Sequence, residues 1–198
     1  MLSRLDHFIL EVPDIEVAHQ AWLGQGLSEA WPIGPFWPSA LTSGIALGGV
    51  NLELVQPIER DTKEIHTLVF EPTSIAVAYA TLFREGLKPR IAPKVETDPE
   101  LLALRGFPES MRVGPQRICT NVIPDGDPAL DFFLCEYAPL LKERLVKPDR
   151  DLLVEVALPK KAMALLRRLG GCPGLRVVEE GPQRVLAIQS PLGRLELS

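Results

Sequence analysis

The chain has 198 residues, of which 46% are hydrophobic and 24% are charged, and its formal net charge at pH 7 is −5. This composition excludes a disordered or fibrous chain, and the length is sufficient for one large domain or two small ones. Nucleic acid is not an expected partner, because the sequence has no basic tract that could neutralise phosphate groups.

The N-terminal sequence and the cysteines indicate where the protein resides. Met-Leu-Ser-Arg-Leu-Asp-His lacks the apolar core of a signal peptide, and no stretch approaches the ~18 apolar residues that span a membrane. Cys119, Cys135 and Cys172 are widely spaced and form no C-x-x-C motif. We therefore expect reduced thiols in a cytoplasmic protein with no membrane segment. A catalytic cysteine is the less favoured interpretation, because no histidine lies near any cysteine in the sequence.

Three segments of the chain share one pattern, in which an apolar strand ends at a proline and an amphipathic helix follows. Proline is tolerated at a strand end, where its missing N–H costs least. Apolar residues at helical spacing predict the helices. The predicted strands are residues 5–13, 65–72 and 152–159, and the predicted helices are residues 15–24, 74–86 and 160–170.

Each predicted helix is followed by two or three β-like stretches. Tight-turn sequences separate these stretches: Gly48-Gly49, Pro124-Asp125-Gly126-Asp127 and Pro191-Leu192-Gly193. One strand before each helix and several after it favour an α+β fold over a doubly wound parallel sheet. We expect repeated βαβββ modules that form curved mixed sheets with the helices on the outer face. The predicted modules are residues 1–60, 61–145 and a shorter one at 150–198.

Two stretches lie outside this repeat. Residues 31–38 predict a proline and aromatic loop, whose Trp31, Phe36 and Trp37 either line an apolar pocket or pack in a core or interface. Residues 92–115 predict a long insertion in the second module, with a short helix at 99–104 that Asp98 could cap. Arg105 and Arg112 in this insertion could bind a carboxylate-bearing substrate, although solvated loop arginines are commoner. Long insertions of this kind often form lids or binding loops.

Two of the three histidines occupy the same position relative to a strand-ending proline. His7 lies six residues before Pro13, and His66 lies six residues before Pro72. The corresponding residue of the third module is Leu153. A single strand histidine is usually structural, but two at matching positions of a repeated module favour a shared site.

A glutamate lies in the last strand of each module, at Glu53, Glu136 and Glu196. A carboxylate within an apolar strand is costly unless it is exposed, paired or bound to a metal ion. Strand alternation places Glu53 on the same face as Asn51 and opposite the leucines beside it, as expected for a sheet that lines a polar cup. The alternation around Glu136 is less regular.

Four short motifs resemble the glyoxalase/bleomycin resistance/extradiol dioxygenase superfamily, also called the vicinal oxygen chelate superfamily. Leu-Asp-His-Phe-Ile-Leu-Glu-Val-Pro and Asn-Leu-Glu-Leu-Val are similar to the first and fourth strands of one module. Glu-Ile-His-Thr-Leu-Val-Phe and Phe-Leu-Cys-Glu-Tyr are similar to those of a second. The resemblance implies a cup between two facing modules, with metal ligands from the first and fourth strands of each. It covers residues 1–140 and implies His7, Glu53, His66 and Glu136 as ligands, with Glu53 and Glu136 as the catalytic carboxylates.

Such a ligand set is suited to a divalent Fe, Mn, Zn or Ni ion with open positions for substrate. The resemblance therefore implies a metal-dependent lyase, isomerase or dioxygenase that acts on a small oxygenated molecule. The alternative is a metal-free protein of the bleomycin-resistance type, which binds and sequesters a small molecule. The third module lacks a histidine, and it either pairs with a second copy in a homodimer or packs on the edge of the first two modules.

Overall fold

The structure is a computed structural model that describes residues 1–37, 39–64, 66–125, 129–145, 152–190 and 193–197, with the side chains of Phe36, Trp37 and Ser190 excepted. The elements of the first module are β1 (Leu2–Glu11), α1 (Ile15–Leu23), β2 (Ser28–Trp37), β3 (Ala40–Ala46) and β4 (Asn51–Pro57). Those of the second are β5 (Thr67–Pro72), α2 (Ile75–Arg84), β6 (Lys88–Glu96), α3 (Pro99–Leu104), a 3-10 turn (Glu109–Met111), β7 (Gln116–Asp125), β8 (Phe132–Tyr137) and α4 (Pro139–Leu145). Those of the third segment are β9 (Leu153–Leu158), α5 (Lys160–Arg168), β10 (Leu175–Glu180), β11 (Arg184–Ser190) and β12 (Gly193–Glu196).

The first two modules share one eight-stranded mixed sheet, in the order β2-β3-β4-β1-β5-β8-β7-β6. Each module contributes four strands in the same order, because the first strand pairs in parallel with the last (β1 with β4, β5 with β8). The two first strands pair antiparallel at the centre. The sheet thus has an approximate two-fold axis between β1 and β5, and the predicted α+β fold with repeated βαβββ modules is confirmed.

Helices α1 and α2 pack on the same face of the sheet, and both begin where the sequence predicts. The side chain of Asp14 accepts a hydrogen bond from the backbone N–H of Val17 at 3.0 Å, and that of Ser74 accepts one from Val77 at 3.2 Å. These caps satisfy donors that a helix N-terminus otherwise leaves unpaired. Because both helices cover the outer face, the opposite face is left to form the cup.

The proline-rich stretches form the two edges of the sheet. The prediction of a loop at 31–38 is wrong for residues 31–37, which belong to β2, although residue 38 lies outside the described residues. Pro32 and Pro35 are accommodated because β2 is an edge strand, where a missing N–H breaks no ladder on the open side. Strand β6 contains Pro89 and Pro93 and forms the other edge. It extends to Glu96, so the predicted insertion begins later than residue 92.

Helix α3 lies in this insertion and is confirmed with its predicted cap. The carboxylate of Asp98 accepts a hydrogen bond from the backbone N–H of Glu100 at 2.8 Å. The segment folds back over the first module, and a methyl group of Leu104 lies against Gly34 of β2. The insertion therefore spans the gap between the two modules at the open side of the sheet.

The third segment has the predicted order of strand, helix and three strands, but its strands pair differently. They form a four-stranded sheet in the order β10-β9-β11-β12. Strand β9 pairs in parallel with β10, the next strand in the chain, and antiparallel with β11. In the first two modules, by contrast, the first strand pairs in parallel with the last. Buried side chains of this segment, such as Val156 and Leu166, belong to the same core as Phe8 and Phe70 of the central strands. It therefore packs within the chain, on the outer face of the large sheet and not on its edge. The module boundaries 1–60, 61–145 and 150–198 stay predictions.

Parts of two predicted turns, at residues 126–127 and 191–192, lie outside the described residues. Within the described residues, every helix is too short or too polar to cross a lipid bilayer.

Candidate functional site

A cavity of about 590 Å³ lies on the concave face of the large sheet, between the first two modules. Its walls are residues of alternate positions on the strands, such as His7 and Ile9 of β1 and Glu53 and Val55 of β4. The second module contributes Cys135 and Tyr137 among others. Helix α4 closes one side, where the side-chain amide of Asn51 donates to the backbone oxygen of Leu145 at 3.0 Å. The cavity is thus lined by residues of both modules.

His7 and Glu53 meet in this cavity. The Nε2 atom of His7 lies 3.2 Å from Oε2 of Glu53, and its Nδ1 lies 2.7 Å from Oδ2 of Asp6. Asp6 is also paired with Arg4. The side chains of Asp6 and His7 are almost completely buried, and Glu53 is exposed by only 8%. His7 is therefore held between two carboxylates, of which only Glu53 lines the cavity.

This arrangement keeps His7 protonated at neutral pH. Burial alone would lower the pKa of its imidazole, but the hydrogen bonds and charges of Asp6 and Glu53 outweigh burial and raise the pKa from 6.5 to about 9. The imidazolium donates a hydrogen bond to each carboxylate. At the cavity wall, protonated His7 is therefore the donor and Glu53 is the acceptor.

His66 lies on the opposite face of the sheet, and its prediction as a partner of His7 is corrected. Its ring stacks on that of buried Phe8 at a centroid distance of 6.3 Å. Its Nδ1 accepts a hydrogen bond from the backbone N–H of Val185 at 3.0 Å. Burial, aided by the charge of Arg184, lowers the pKa of His66 to about 4. This neutral imidazole attaches the third segment to the large sheet.

Gln183 completes that attachment. Its amide nitrogen donates to the backbone oxygens of His66 and Asp131, both at 2.7 Å, and its amide oxygen accepts from the N–H of Asp131 at 2.9 Å. Gln183 is exposed by only 4%. His66 thus belongs to a structural network that the sequence pattern did not indicate.

Glu136 is also directed away from the cavity. Its neighbours Cys135 and Tyr137 both line the cavity. Because successive side chains of a strand point to opposite faces, Glu136 lies on the outer face, beside Thr120 of β7. The predicted four-residue set is therefore separated by the sheet, with His7 and Glu53 on one face and His66 and Glu136 on the other.

The spacing of the two modules identifies the residues that correspond to His7 and Glu53 in the second module. The helix caps Asp14 and Ser74 are 60 residues apart, so Thr67 of β5 corresponds to His7 of β1. By the same spacing Ile9 corresponds to Val69, and these two residues pair in parallel with Glu53 and Phe133 respectively. The approximate two-fold axis therefore relates His7 to Thr67 and Glu53 to Phe133.

The residues present do not fit the metal site that the resemblance implies. The position equivalent to His7 holds Thr67, which offers a hydroxyl instead of an imidazole, and the position equivalent to Glu53 holds Phe133, which has no donor atom. In the described part of the chain, no group of three or more His, Cys, Asp or Glu side chains is arranged to hold a metal ion. Only half of the expected His and Glu ligand set faces the cup.

Two cysteines and a tyrosine form the wall that faces this pair. Cys119 and Cys135 are both nearly inaccessible to solvent. A hydrogen bond between the two thiols lowers the pKa of Cys119, and with burial it raises that of Cys135 well above its usual range. Burial also raises the pKa of Tyr137, so its hydroxyl stays protonated. The sequence had given no reason to favour these cysteines.

Cationic side chains surround the mouth of the cavity. Arg105 lines it and donates through Nη2 to the backbone oxygen of Pro35 at 3.3 Å. Burial lowers the pKa of Arg105, while the charges of Glu96 and Glu53 oppose that change. Arg60 is held by Glu11 through two contacts of 2.6 Å, and Arg144 lies against Gly106.

The other aromatic and cationic candidates from the sequence do not all lie at the cavity. Trp31 lines the cavity, whereas the side chains of Phe36 and Trp37 lie outside the described residues. Arg112 is absent from the cavity wall, because its Nε donates to the backbone oxygen of Phe107 at 2.8 Å.

Comparisons with known proteins give likenesses in structure only. No protein-family model matches the chain, and no curated protein matches its sequence. A hypothetical protein from Staphylococcus aureus superposes with a TM-score of 0.59 at 8% identity, over 95% of this chain and 90% of that one. Methylmalonyl-CoA epimerase from Mycobacterium tuberculosis gives a TM-score of 0.48 at 15% identity, over 72% and 93%. A variant of the Streptomyces coelicolor epimerase, in complex with 2-nitronate-propionyl-CoA, gives 0.48 at 12%, over 70% and 99%.

At these identities a structural likeness shows the fold alone. The likeness supports the α+β fold of repeated βαβββ modules that the strand order shows. The Staphylococcus aureus likeness extends over nearly the whole chain.

Proposed function

We propose that the protein binds a small, oxygenated, anionic molecule in its cup, and that this binding does not depend on a metal ion held by His7 and Glu53. One observation carries the proposal: a cavity of about 590 Å³ contains one His and Glu pair, while the symmetry-related positions hold Thr67 and Phe133. The volume lies within the usual range of about 300–1,000 Å³ for small-molecule sites.

The charges of the cavity favour an anion. The protein as a whole is acidic, yet the cations of its cavity wall outnumber the carboxylates. The cations are Arg60, Lys63, Arg105, Arg144 and protonated His7, and the carboxylates are Glu11, Glu53, Glu59 and Asp131. Burial lowers the pKa of Arg105, and the charges of Glu96 and then of Glu53 in the cavity wall act in the opposite direction. A guanidinium provides paired donors for a carboxylate, and the apolar side chains of Trp31, Ile9 and Phe133 would contact the rest of the ligand.

The metal-dependent lyase, isomerase or dioxygenase expected from the resemblance is not proposed, because the ligand set does not fit. A second candidate, a metal-independent isomerase or lyase, is favoured by the His7 and Glu53 pair. A carboxylate hydrogen-bonded to an imidazolium at a cavity can accept a proton from carbon while the imidazolium donates to an oxygen. This candidate predicts exchange of carbon-bound hydrogen for deuterium in a bound 2-oxo acid, with loss of exchange in Glu53→Gln.

The binding proposal is tested by thermal unfolding with a panel of small 2-oxo and 2-hydroxy acids and their matched primary amides. We expect at least one acid to raise Tm more than its amide, since a ligand at about 100 times its Kd stabilises by about 2.7 kcal/mol. Addition of a chelator should leave this stabilisation unchanged. Arg105→Gln should abolish the preference for the acid, whereas the exposed Arg117→Gln should preserve it.

Stabilisation that the chelator removes would contradict the proposal, as would equal stabilisation by every acid and its amide. We also propose that the protein is cytoplasmic and forms a homodimer. Light scattering during size-exclusion chromatography tests the dimer.

A further inference from the structure

Cys119 and Cys135 form a pair of thiols on the cavity wall of the second module. Strands β7 and β8 are antiparallel, with Cys119 opposite Tyr137 and Asn121 opposite Cys135. The two cysteines are therefore diagonal neighbours on one face, and both line the cavity. Their thiols are hydrogen-bonded to each other, and Cys119 Sγ also lies 3.5 Å from Oδ1 of Asn121.

We propose that this thiol pair binds a soft, thiophilic cation, of the class that includes Cu(I), Zn(II) and Cd(II), within the cavity. Soft thiolate ligands select such ions over hard oxygen-seeking ones. Among the described residues, no histidine or carboxylate joins the two sulfurs in a closed set of ligands. An ion bound by the two sulfurs would therefore keep coordination positions for water or for a bound molecule. The site differs from the His and Glu site of the resemblance in its ligands and its position.

The geometry favours an ion over a disulfide. Diagonal neighbours on antiparallel strands have Cα atoms about 7–8 Å apart. A disulfide rarely spans more than about 7 Å between Cα atoms without backbone movement. An ion between the two sulfurs spans a longer distance, because each bond to sulfur is about 2.3 Å for zinc. Both cysteines are accordingly free in the structure.

Binding of the cation releases the protons of the two thiols. Both S–H bonds break, two sulfur–metal bonds form, and two protons pass to solvent. In the absence of the ion, two thiolates beside the carboxylate of Glu53 would repel each other, and the hydrogen bond between the sulfurs requires at least one of them to keep its proton. A cation removes this repulsion, so its affinity should rise with pH.

The test is a titration of the reduced full-length protein with Cd(II) under anaerobic conditions. We expect a thiolate-to-metal absorbance band that saturates at one equivalent, with release of about two protons per ion. Loss of a residue that hydrogen-bonds to a metal ligand typically costs about 10- to 100-fold in metal affinity, and loss of a ligand itself should cost at least as much. Cys119→Ser and Cys135→Ser should therefore each weaken binding by about 100-fold or more. Cys172→Ser is the matched control and should bind as the wild type does.

The wild-type result alone can overturn the proposal, so it does not depend on how the variants fold. Absence of the absorbance band at one equivalent would overturn it. Tight binding that survives in both Cys119→Ser and Cys135→Ser would also overturn it. The acid preference that tests the proposed function depends on Arg105 and is measured without Cd(II), so either proposal can fail while the other stands.

Discussion

His7 and Val69 lie directly opposite each other on the two central strands, on the face of the sheet that forms the cavity. The positions that correspond to His7 and Glu53 in the second module hold Thr67 and Phe133. The cup is therefore chemically asymmetric, with an imidazolium and a carboxylate on one wall and two thiols on the other.

The stability of the protein should fall as pH rises above neutrality, because of His7. The folded pKa of His7, about 9, exceeds its ordinary value of 6.5. The stabilisation is therefore complete below pH 6.5 and is lost as pH rises through 9, and it amounts to on the order of 3 kcal/mol. Denaturant unfolding at several pH values measures this decrease. His7→Gln should lack it, and an equal decrease in that variant would refute the assignment.

His66 should produce the opposite dependence on the acid side. Its folded pKa of about 4 lies below its ordinary 6.5, so its contribution is complete above pH 6.5 and is lost as pH falls through 4. The size is again on the order of 3 kcal/mol. In His66→Gln, whose amide oxygen can accept from the N–H of Val185, the free energy of unfolding should change less between pH 6.5 and 4. An unchanged pH dependence in this variant would show that His66 is not the group responsible.

The sequence predicts most of the fold because its signals are local. Prolines at strand ends, the caps Asp14 and Ser74, and the turn at Gly48-Gly49 each determine an element without reference to distant contacts. The loop prediction at 31–37 failed because proline excludes a central strand but not an edge strand, and edge position is a property of the whole sheet.

Two of the four predicted ligands face the cavity, and the strand register explains why His66 does not. Pro13 lies two residues beyond the end of β1, whereas Pro72 is itself the last residue of β5. Equal offsets from the two prolines therefore reach different positions in the two strands. His66 lies one residue before Thr67, the position that corresponds to His7, and an odd displacement moves a side chain to the other face.

Trp31 and Gly44 should be sensitive to a single added methyl group. Ring atoms of Trp31 lie 2.3 Å from where a Cβ on Gly44 would be, so the ring packs directly on the glycine. Gly44→Ala should displace the ring and destabilise the fold by about 1–3 kcal/mol. It should also change the tryptophan fluorescence, because Trp31 lines the cavity. The control is Gly181→Ala, whose Cβ would meet Ala157 at an ordinary 3.6 Å; equal effects of both variants would contradict the packing argument.

The position of Val69 directly opposite His7 predicts that a metal site can be created by adding a second histidine there. Val69→His would place a second imidazole opposite His7, on the face that also holds Glu53. Two histidines and one carboxylate form a set that binds divalent iron and related ions with positions left open. We expect this variant to bind Ni(II) or Zn(II) at one equivalent in the presence of Cys119→Ser and Cys135→Ser, which remove the thiols.

The matched control is Val69→Leu in the same double-serine background, which keeps an apolar side chain and adds no donor. Val69 is fully buried, so both variants carry a packing cost, and thermal unfolding should show that each is folded before the titration. His7→Gln added to the Val69→His variant should abolish the new binding, because it removes one of the three ligands. If binding persisted without His7, the two residues would not share a site, and the argument from their opposite positions would be wrong.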